Sequence, residues 1–157
     1  MINHVILGLM LTMFSVNAIA ETVAANSDVI RYVGRVERCA DRGVRYDWVG
    51  TYMKTRFTGG RIGVVASETG KSYYNVIIDG RVTKKILITG TNPQTIMLAE
   101  KLPKGEHELM LQKCTEGEYG CTTIHSVVID NKATLSVVAP KSRLIEAYGD
   151  SYTVGYG

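Results

Sequence analysis

The chain has 157 residues, of which 45% are hydrophobic and 21% charged, a composition that is ordinary for a globular protein. This length allows one domain and at most part of a second. The formal net charge is only +3, from 18 basic and 15 acidic residues, and no run of Lys or Arg stands out. Nucleic acid and an anionic membrane surface are therefore not indicated as partners.

The first twenty residues, MINHVILGLMLTMFSVNAIA, differ in composition from the rest of the chain. They contain no Asp, Glu, Lys or Arg, and an apolar stretch leads to the small-x-small pattern Ala18-Ile19-Ala20. The stretch is shorter than the ~20 apolar residues of a membrane span. Residues 1–20 are thus predicted to be a signal peptide, which makes the mature chain secreted or periplasmic and leaves it without membrane contact. An N-terminal anchor helix or a buried helix is the alternative.

From Ile30 to Val138 apolar and polar residues tend to alternate, and β-branched residues and Tyr are common, which is typical of half-buried strands. The sequence shows no sustained 3.6-residue period with helix caps. Nine strands are predicted, in chain order: Ile30–Val36, Tyr46–Phe57 with a break, Arg61–Ala66, Tyr73–Ile78, Lys85–Thr89, Thr95–Ala99, His107–Lys113, Thr122–Ile129 and Thr134–Val138.

Turn residues separate these strands. Asp79-Gly80 between two of them is a strong hairpin signal, because both residue types tolerate positive φ. Nine short strands at intervals of about 8–12 residues are typical of an all-β sandwich, or jelly roll. The sandwich is predicted to span residues 27–138 and to be followed by a linker at 139–143. Pro140 in this linker fits a strand end, because proline cannot donate to a β ladder.

Three aromatic residues of the predicted β region could stack on sugars: Trp48, Tyr73 and Tyr74. Aromatic residues also favour strands because they pack well there, so core or half-buried positions are the more common explanation for most of them. The histidines, His4, His107 and His125, are isolated. Since a zinc site needs about four well-spaced ligands, no metal site is predicted, and the last two histidines are expected to be ordinary strand residues.

The three cysteines, Cys39, Cys114 and Cys121, can pair in an oxidising compartment with one left over. The stretch CTEGEYGC has the pattern of a hairpin with turn-forming glycines. It therefore favours a disulfide between Cys114 and Cys121, with Cys39 free. A bridge from Cys39 to either of the others is the competing arrangement, because a sandwich can bring distant strands together.

The chain ends with LIEAYGDSYTVGYG, an apolar run followed by a glycine-rich turn around Ser151. The apolar run Leu144–Tyr148 is predicted to be a buried strand. A serine at a strand–turn–helix elbow is exposed, and the backbone N–H groups beside it can stabilise an oxyanion. Gly-Asp-Ser alone also forms ordinary turns, but the preceding strand and the following Gly155-x-Gly157 favour a nucleophile.

The block IEAYGDSYTVGYG resembles the first conserved block of the SGNH, or GDSL-type, hydrolases. More narrowly, residues 30–157 resemble the N-terminal half of carbohydrate esterase family 2, the acetyl xylan esterase-like enzymes with a jelly-roll domain followed by an SGNH hydrolase domain. The matching pieces are, in order, YVGRV at 32–36, RYDWVGTYMKTRFTGG at 45–60, YYNVIIDG at 73–80, LPKGEHELMLQKCTEGEYG at 102–120 and the serine block.

The resemblance implies that residues 144–157 are the start of an α/β SGNH hydrolase domain. Ser151 would be its nucleophile, and the Ser151 backbone N–H would form part of the oxyanion hole. Asp150 matches the acidic residue of the block and has only a local turn role. The later blocks of the family are absent, and no histidine follows Ser151. We therefore expect an N-terminal fragment with a truncated hydrolase domain, inactive alone because the serine lacks its base.

The resemblance further implies a secreted carbohydrate esterase that deacetylates an acetylated polysaccharide such as xylan or mannan, with no metal or organic cofactor. Two alternatives remain open. The sandwich alone could be a non-catalytic carbohydrate-binding module, or the serine could belong to a GDSL-type lipase or thioesterase.

Overall fold

The structure is a computed structural model that describes residues 20–143, 147–150 and 153. The predicted signal peptide therefore lies outside the described residues, apart from Ala20. No helix in these parts of the chain has the length and hydropathy of a membrane span. The described residues form one 3₁₀ turn, Gly117–Tyr119, and the following strands: β1 Glu21–Ala24, β2 Arg31–Val33, β3 Glu37–Arg38, β4 Val44–Tyr46, β5 Tyr52–Thr58, β6 Ile62–Glu68, β7 Lys71–Ile78, β8 Arg81–Thr89, β9 Gln94–Ala99, β10 Glu106–Lys113, β11 Thr122–Ile129 and β12 Leu135–Ser136.

The strands form two six-stranded antiparallel sheets. Sheet I has the order β3-β4-β11-β6-β9, and β1 pairs with β11 beyond the end of β4. Sheet II has the order β12-β5-β10-β7-β8, and β2 shares the β5 edge with β12. From β4 to β12 only β7 and β8 are consecutive strands of the same sheet, so the chain crosses between the sheets at nearly every step. This jelly-roll connectivity confirms the predicted all-β sandwich.

Alternation along the strands places one face of each sheet in a common core. In β5, for example, Met53, Thr55 and Phe57 are buried, whereas Lys54 and Arg56 between them are not. Fully burying one large apolar side chain contributes about 1.5–3 kcal/mol. The largest fully buried apolar side chains come from both sheets: Met53, Phe57, Ile62, Tyr74, Ile88, Leu98, Leu109, Leu111 and Ile124.

The observed strands agree closely with the predicted ones. The predicted strand Thr122–Ile129 is identical to β11, and the break expected within Tyr46–Phe57 falls between β4 and β5. Sequence analysis does not predict β1 or β3. Because β1 begins at Glu21 and pairs with β11, the sheet starts earlier than the predicted domain boundary at residue 27.

The hairpin predicted at Asp79-Gly80 is confirmed. Ile78 of β7 pairs with Arg81 of β8, and the two residues between them have φ values of 52° and 78°. Positive φ at both central residues is the requirement of a type I′ turn, whose twist matches that of the flanking strands. The turn therefore needs residue types such as Asp and Gly, which tolerate this conformation.

The Asp79 side chain also ties this hairpin to the neighbouring strand β10. One carboxylate oxygen accepts the Glu108 N–H at 2.8 Å, and the other lies 2.7 Å from His107 Nδ1. His107 Nε2 lies 2.9 Å from the Pro103 carbonyl oxygen. The hydrogen bonds to Asp79 and then to Pro103 raise the pKa of His107. The Glu108 N–H and then His107 lower the pKa of Asp79.

The stability of the sandwich should therefore depend on pH through His107. Its folded pKa lies above the usual 6.5. The stabilisation is therefore fully present below pH 6.5 and is lost as the pH rises through the folded pKa. His107→Gln cannot titrate, so its unfolding free energy should lack this decline. Urea unfolding of both chains from about pH 6 to 9 measures the difference. His125→Gln, in the other sheet, is the control; an unchanged decline in His107→Gln would contradict the assignment.

Candidate functional site

The stretch that carries the predicted nucleophile is described only in part. Ser151 and most of the predicted strand Leu144–Tyr148 lie outside the described residues. Thr153 N–H donates to the Asp150 carbonyl oxygen at 3.0 Å, a bond of the type that closes a turn. The nucleophile and oxyanion roles of Ser151 therefore stay predictions.

The three aromatic residues considered for sugar stacking lie in different environments. Tyr74 is fully buried and its hydroxyl donates to Thr122 Oγ1 at 2.6 Å, so it is a core residue. Tyr73 and Trp48 are 49% and 53% exposed. Tyr73 lies on β7 opposite the exposed Leu87 of β8, whereas Trp48 lies in the loop between β4 and β5. Tyr74 thus packs in the core and Tyr73 is a strand residue that is about half buried, as expected for most of the three, whereas Trp48 lies exposed in a loop.

A tight turn presents Trp48 at one end of the sandwich. Thr51 N–H donates to the Trp48 carbonyl oxygen at 3.3 Å, and Gly50, the third residue of the turn, has a φ of 77°. A type II turn requires positive φ at this position, which favours glycine. The turn is fixed to the end of β10, because Gly50 N–H donates to the Lys113 carbonyl oxygen and Lys113 N–H donates to the Thr51 carbonyl oxygen, both at 2.9 Å.

A second loop, residues 114–121, lies beside the first. It crosses from β10 in sheet II to β11 in sheet I and contains the 3₁₀ turn. Gly120 N–H donates to the Gly117 carbonyl oxygen at 3.2 Å. A Cβ placed on Gly117 would be in ordinary contact with Asp47, at 3.5 Å, so the two loops approach each other closely here.

The two loops enclose a cleft of about 320 Å³. It is lined by Asp47, Trp48, Glu116, Gly117 and Glu118. A neighbouring cleft shares Trp48 and includes Arg35, whose guanidinium carbon lies 5.5 Å from the centroid of the Trp48 ring. Such a cation–π contact contributes about 0.5–1 kcal/mol at an exposed site and helps to hold the indole in place. The cleft between the two loops thus combines an aromatic ring with three carboxyl groups.

A buried lysine joins the two loops. Lys113 is 1% exposed, and its Nζ donates to Ser72 Oγ and to the Gly120 carbonyl oxygen, the latter at 3.3 Å. Burial lowers the pKa of Lys113, and the nearby Glu68 carboxylate opposes this shift. Since the Lys113 backbone also holds the Trp48 turn, this one residue fixes both walls of the cleft.

Glu68 fixes the second loop from sheet I. It is 1% exposed, accepts the Thr122 hydroxyl on one oxygen and accepts the Gly70 N–H at 3.0 Å on the other. A Cβ added to Gly70 would overlap the Tyr119 carbonyl oxygen. The turn between β6 and β7 therefore packs against the 114–121 loop, backbone against backbone, and leaves no room for a side chain at Gly70.

All three cysteines are free thiols in the structure. The hairpin expected between Cys114 and Cys121 is wrong, because β10 and β11 belong to different sheets. The competing bridge from Cys39 to Cys121 is disfavoured, since β4 separates β3 from β11. Two strand spacings of about 4.8 Å each exceed the ~7 Å reach of a disulfide between Cα atoms. The Cys114–Cys121 pairing stays a prediction that has lost its hairpin argument.

The two histidines of the described residues both lie in strands. His107 is in β10, and His125 is in β11, where its Nε2 lies 2.9 Å from Ser67 Oγ. Ser and His are residue types that serve as nucleophile and base, so the Ser67–His125 contact is a necessary control in esterase assays. Within the described ranges, no group of three or more His, Cys, Asp and Glu side chains could hold a metal ion.

Residues 32–138 match the family model described as carbohydrate esterase 2 N-terminal. The chain belongs to this family. In this carbohydrate esterase 2 N-terminal domain the matched stretch contains both loops of the cleft and the buried residues Glu68 and Lys113. The family prediction made from the sequence is thereby confirmed.

Two curated relatives carry esterase names. A cellulase/esterase of Acetivibrio thermocellus is 28% identical over 138 residues, which cover 88% of this chain and 17% of the relative. An acetylxylan esterase / glucomannan deacetylase of Cellvibrio japonicus is 26% identical over 158 residues, which cover 98% of this chain and 43% of the relative. The chain thus spans less than half the length of these relatives.

Solved structures share the fold. A family two carbohydrate esterase from Clostridium thermocellum, in complex with cellohexaose, matches with a TM-score of 0.64 at 26% identity, over 71% of this chain and 34% of that one. A carbohydrate-binding module, CBM36 in complex with calcium and xylotriose, matches with a TM-score of 0.56 at 16% identity, over 71% of this chain and 99% of that one. At that identity the second match shows the sandwich fold alone.

Removal of the buried Lys113 ammonium group should lower the free energy of unfolding substantially. Lys113→Met keeps the aliphatic stem but deletes the hydrogen bonds to Ser72 and Gly120, which leaves buried acceptors unsatisfied. We expect the free energy of unfolding to fall by about 2–3 kcal/mol. Urea denaturation measures it. Lys85→Met removes an exposed lysine of β8 and should change stability by less than about 0.5 kcal/mol. Equal effects of the two substitutions would contradict the role of Lys113.

Proposed function

We propose that the chain is part of a secreted carbohydrate esterase that removes acetyl groups from a polysaccharide such as xylan or mannan, with Ser151 as the nucleophile. The alignment with the Cellvibrio japonicus acetylxylan esterase / glucomannan deacetylase carries this proposal. It includes 98% of the 157 residues, so 2% of 157, about three residues, fall outside it. Because six residues follow Ser151, the serine lies within the aligned stretch.

In the proposed reaction the Ser151 hydroxyl attacks the acetyl carbonyl carbon while a histidine base takes its proton. Backbone N–H groups, including that of Ser151, stabilise the tetrahedral oxyanion. The sugar hydroxyl leaves with a proton from the base, and water then releases acetate from the acetyl-enzyme. The mechanism uses no metal or organic cofactor. The 157 residues span 43% of the Cellvibrio japonicus relative, so the proposal places the histidine base in the part of such an esterase that these residues do not include.

The proposal predicts how activity is distributed. The 157-residue chain should show no ester hydrolysis that depends on Ser151, because nucleophile and base act as a unit. A longer parent that includes the rest of the hydrolase domain should release acetate from acetylated xylan and from 4-nitrophenyl acetate. In that parent, Ser151→Ala should lower the rate by orders of magnitude and leave the unfolding transition unchanged.

Two controls make this assay decisive. Ser67→Ala in the 157-residue chain removes any background hydrolysis by the Ser67–His125 pair. A series of 4-nitrophenyl esters of increasing acyl length separates an acetyl esterase from a GDSL-type lipase or thioesterase. Full activity of the Ser151→Ala parent would refute the nucleophile assignment, and a preference for long acyl chains would refute the acetyl specificity.

A second candidate function is carbohydrate binding by the sandwich itself. The observation that favours it is the exposed Trp48 in a cleft with carboxyl groups. Aromatic rings with nearby hydrogen-bonding groups are typical of small-molecule clefts. The Clostridium thermocellum relative in complex with cellohexaose supports a carbohydrate ligand for this family.

Secretion is proposed from the composition of residues 1–20 and predicts one processing site. Cleavage after Ala20 would release a chain that begins at Glu21, the first residue of β1. The signal peptide would then be removed without loss of any residue that pairs with β11. N-terminal sequencing of the protein recovered from the periplasm or medium should therefore start at Glu21. A recovered protein that retains Met1 would show that residues 1–20 are not a cleaved signal.

A further inference from the structure

We propose that the Trp48 cleft is a binding subsite for a neutral polysaccharide chain, with the Trp48 indole as the stacking surface for one pyranose ring. This deepens the carbohydrate-binding function proposed above and rests on it. The inference comes from the shape, the charge and the position of the cleft.

The shape of the cleft suits one or two sugar rings. Its volume of about 320 Å³ is near the lower limit of the range of about 300–1,000 Å³ for small-molecule clefts. Trp48 is about half exposed and lies in a turn whose backbone is pinned to β10. A fixed aromatic ring loses little conformational entropy on binding, and it offers a flat apolar surface to the C–H face of a pyranose.

The charges of the cleft select the kind of sugar. Asp47, Glu116 and Glu118 present carboxyl oxygens next to Trp48. Carboxylates accept hydrogen bonds from sugar hydroxyls, and charge-assisted bonds of this kind are the stronger ones. The same carboxylates repel an anionic chain such as polygalacturonate. The preferred ligand is therefore a neutral backbone such as xylan, glucan or mannan.

The cleft also lies near the segment that follows the last strand, residues 138–143. Residues 138–141 and Arg143 lie along a groove that includes Val33 and Tyr52, and Val33 also lines the cleft shared by Arg35 and Trp48. A polysaccharide bound at Trp48 would therefore lie on the side of the sandwich along which residues 138–143 run.

Isothermal titration calorimetry on the 157-residue chain tests the subsite with four probes: xylohexaose, cellohexaose, mannohexaose and an oligogalacturonate of the same length, all in buffer with EDTA. At least one neutral oligosaccharide should bind, and the oligogalacturonate should bind at least tenfold more weakly than it. Trp48→Ala should weaken the neutral ligand by about tenfold. Trp48→Phe, which keeps an aromatic face, should stay within about threefold of the unchanged chain.

Matched variants decide where the ligand lies. Tyr73→Ala removes an equally exposed aromatic residue from the face of sheet II and should leave the affinity unchanged. The double change Glu116→Gln and Glu118→Gln keeps the acceptors and removes two charges, so it should reduce the discrimination against oligogalacturonate. Absence of binding to all neutral probes, or a loss in Tyr73→Ala but not in Trp48→Ala, would overturn the proposal.

The parent enzyme separates this inference from the proposed esterase activity. There, Trp48→Ala should lower kcat/KM for acetylated xylan about tenfold and leave turnover of 4-nitrophenyl acetate unchanged, because the small ester does not reach the subsite. Loss of both activities would instead show that Trp48 supports the hydrolase domain and would overturn the subsite. A chain with Ser151→Ala should still bind the oligosaccharide. This result does not depend on whether Ser151 is the nucleophile.

Discussion

The end of the sandwich that carries the cleft depends on one buried charge, the ammonium group of Lys113. A charged group loses its hydration when it is buried, and it is tolerated only when hydrogen bonds and nearby opposite charge replace the water. Ser72 and the Gly120 carbonyl oxygen supply the hydrogen bonds, and Glu68 supplies the opposite charge. Glu68 lies in β6, Ser72 in β7 and Gly120 in the 114–121 loop. Satisfying the charge therefore also fixes how these three segments approach each other.

This requirement explains why the cleft has defined walls although both are loops. Loops that are held only by their own turns are usually mobile parts of a protein. Here the Trp48 turn is bonded to the Lys113 backbone, and the 114–121 loop is bonded to the Lys113 side chain. The close contact between Gly70, in the turn between β6 and β7, and Tyr119 adds a steric constraint on the 114–121 loop. A rigid base below exposed aromatic and acidic groups is what a binding surface needs, because little ordering remains to be done on binding.

The two ends of the sandwich use polar groups differently. At the Lys113 end the polar side chains Lys113, Ser72 and Glu68 are buried, and their hydrogen bonds replace lost hydration. At the opposite end the half-exposed Asp79 carboxylate pairs with the mostly buried His107 ring, ties the β7–β8 hairpin to β10 and raises the pKa of His107. The proposed chemistry of Ser151 and the proposed sugar contact of Trp48 belong to different parts of the chain.

The sequence by itself determined most of the strands, though not β1 or β3, and the local turn at Asp79-Gly80, because alternation and positive-φ tolerance are properties of neighbouring residues. It also identified the family through the order of its motifs. Only the tertiary structure decided that residues 114–121 cross between sheets instead of forming a hairpin, because β10 pairs with β5 and β7, which lie far away along the chain. The same long-range pairing buried Tyr74 and Lys113 and left Trp48 exposed, since burial depends on which strands pack together and local residue type does not specify it.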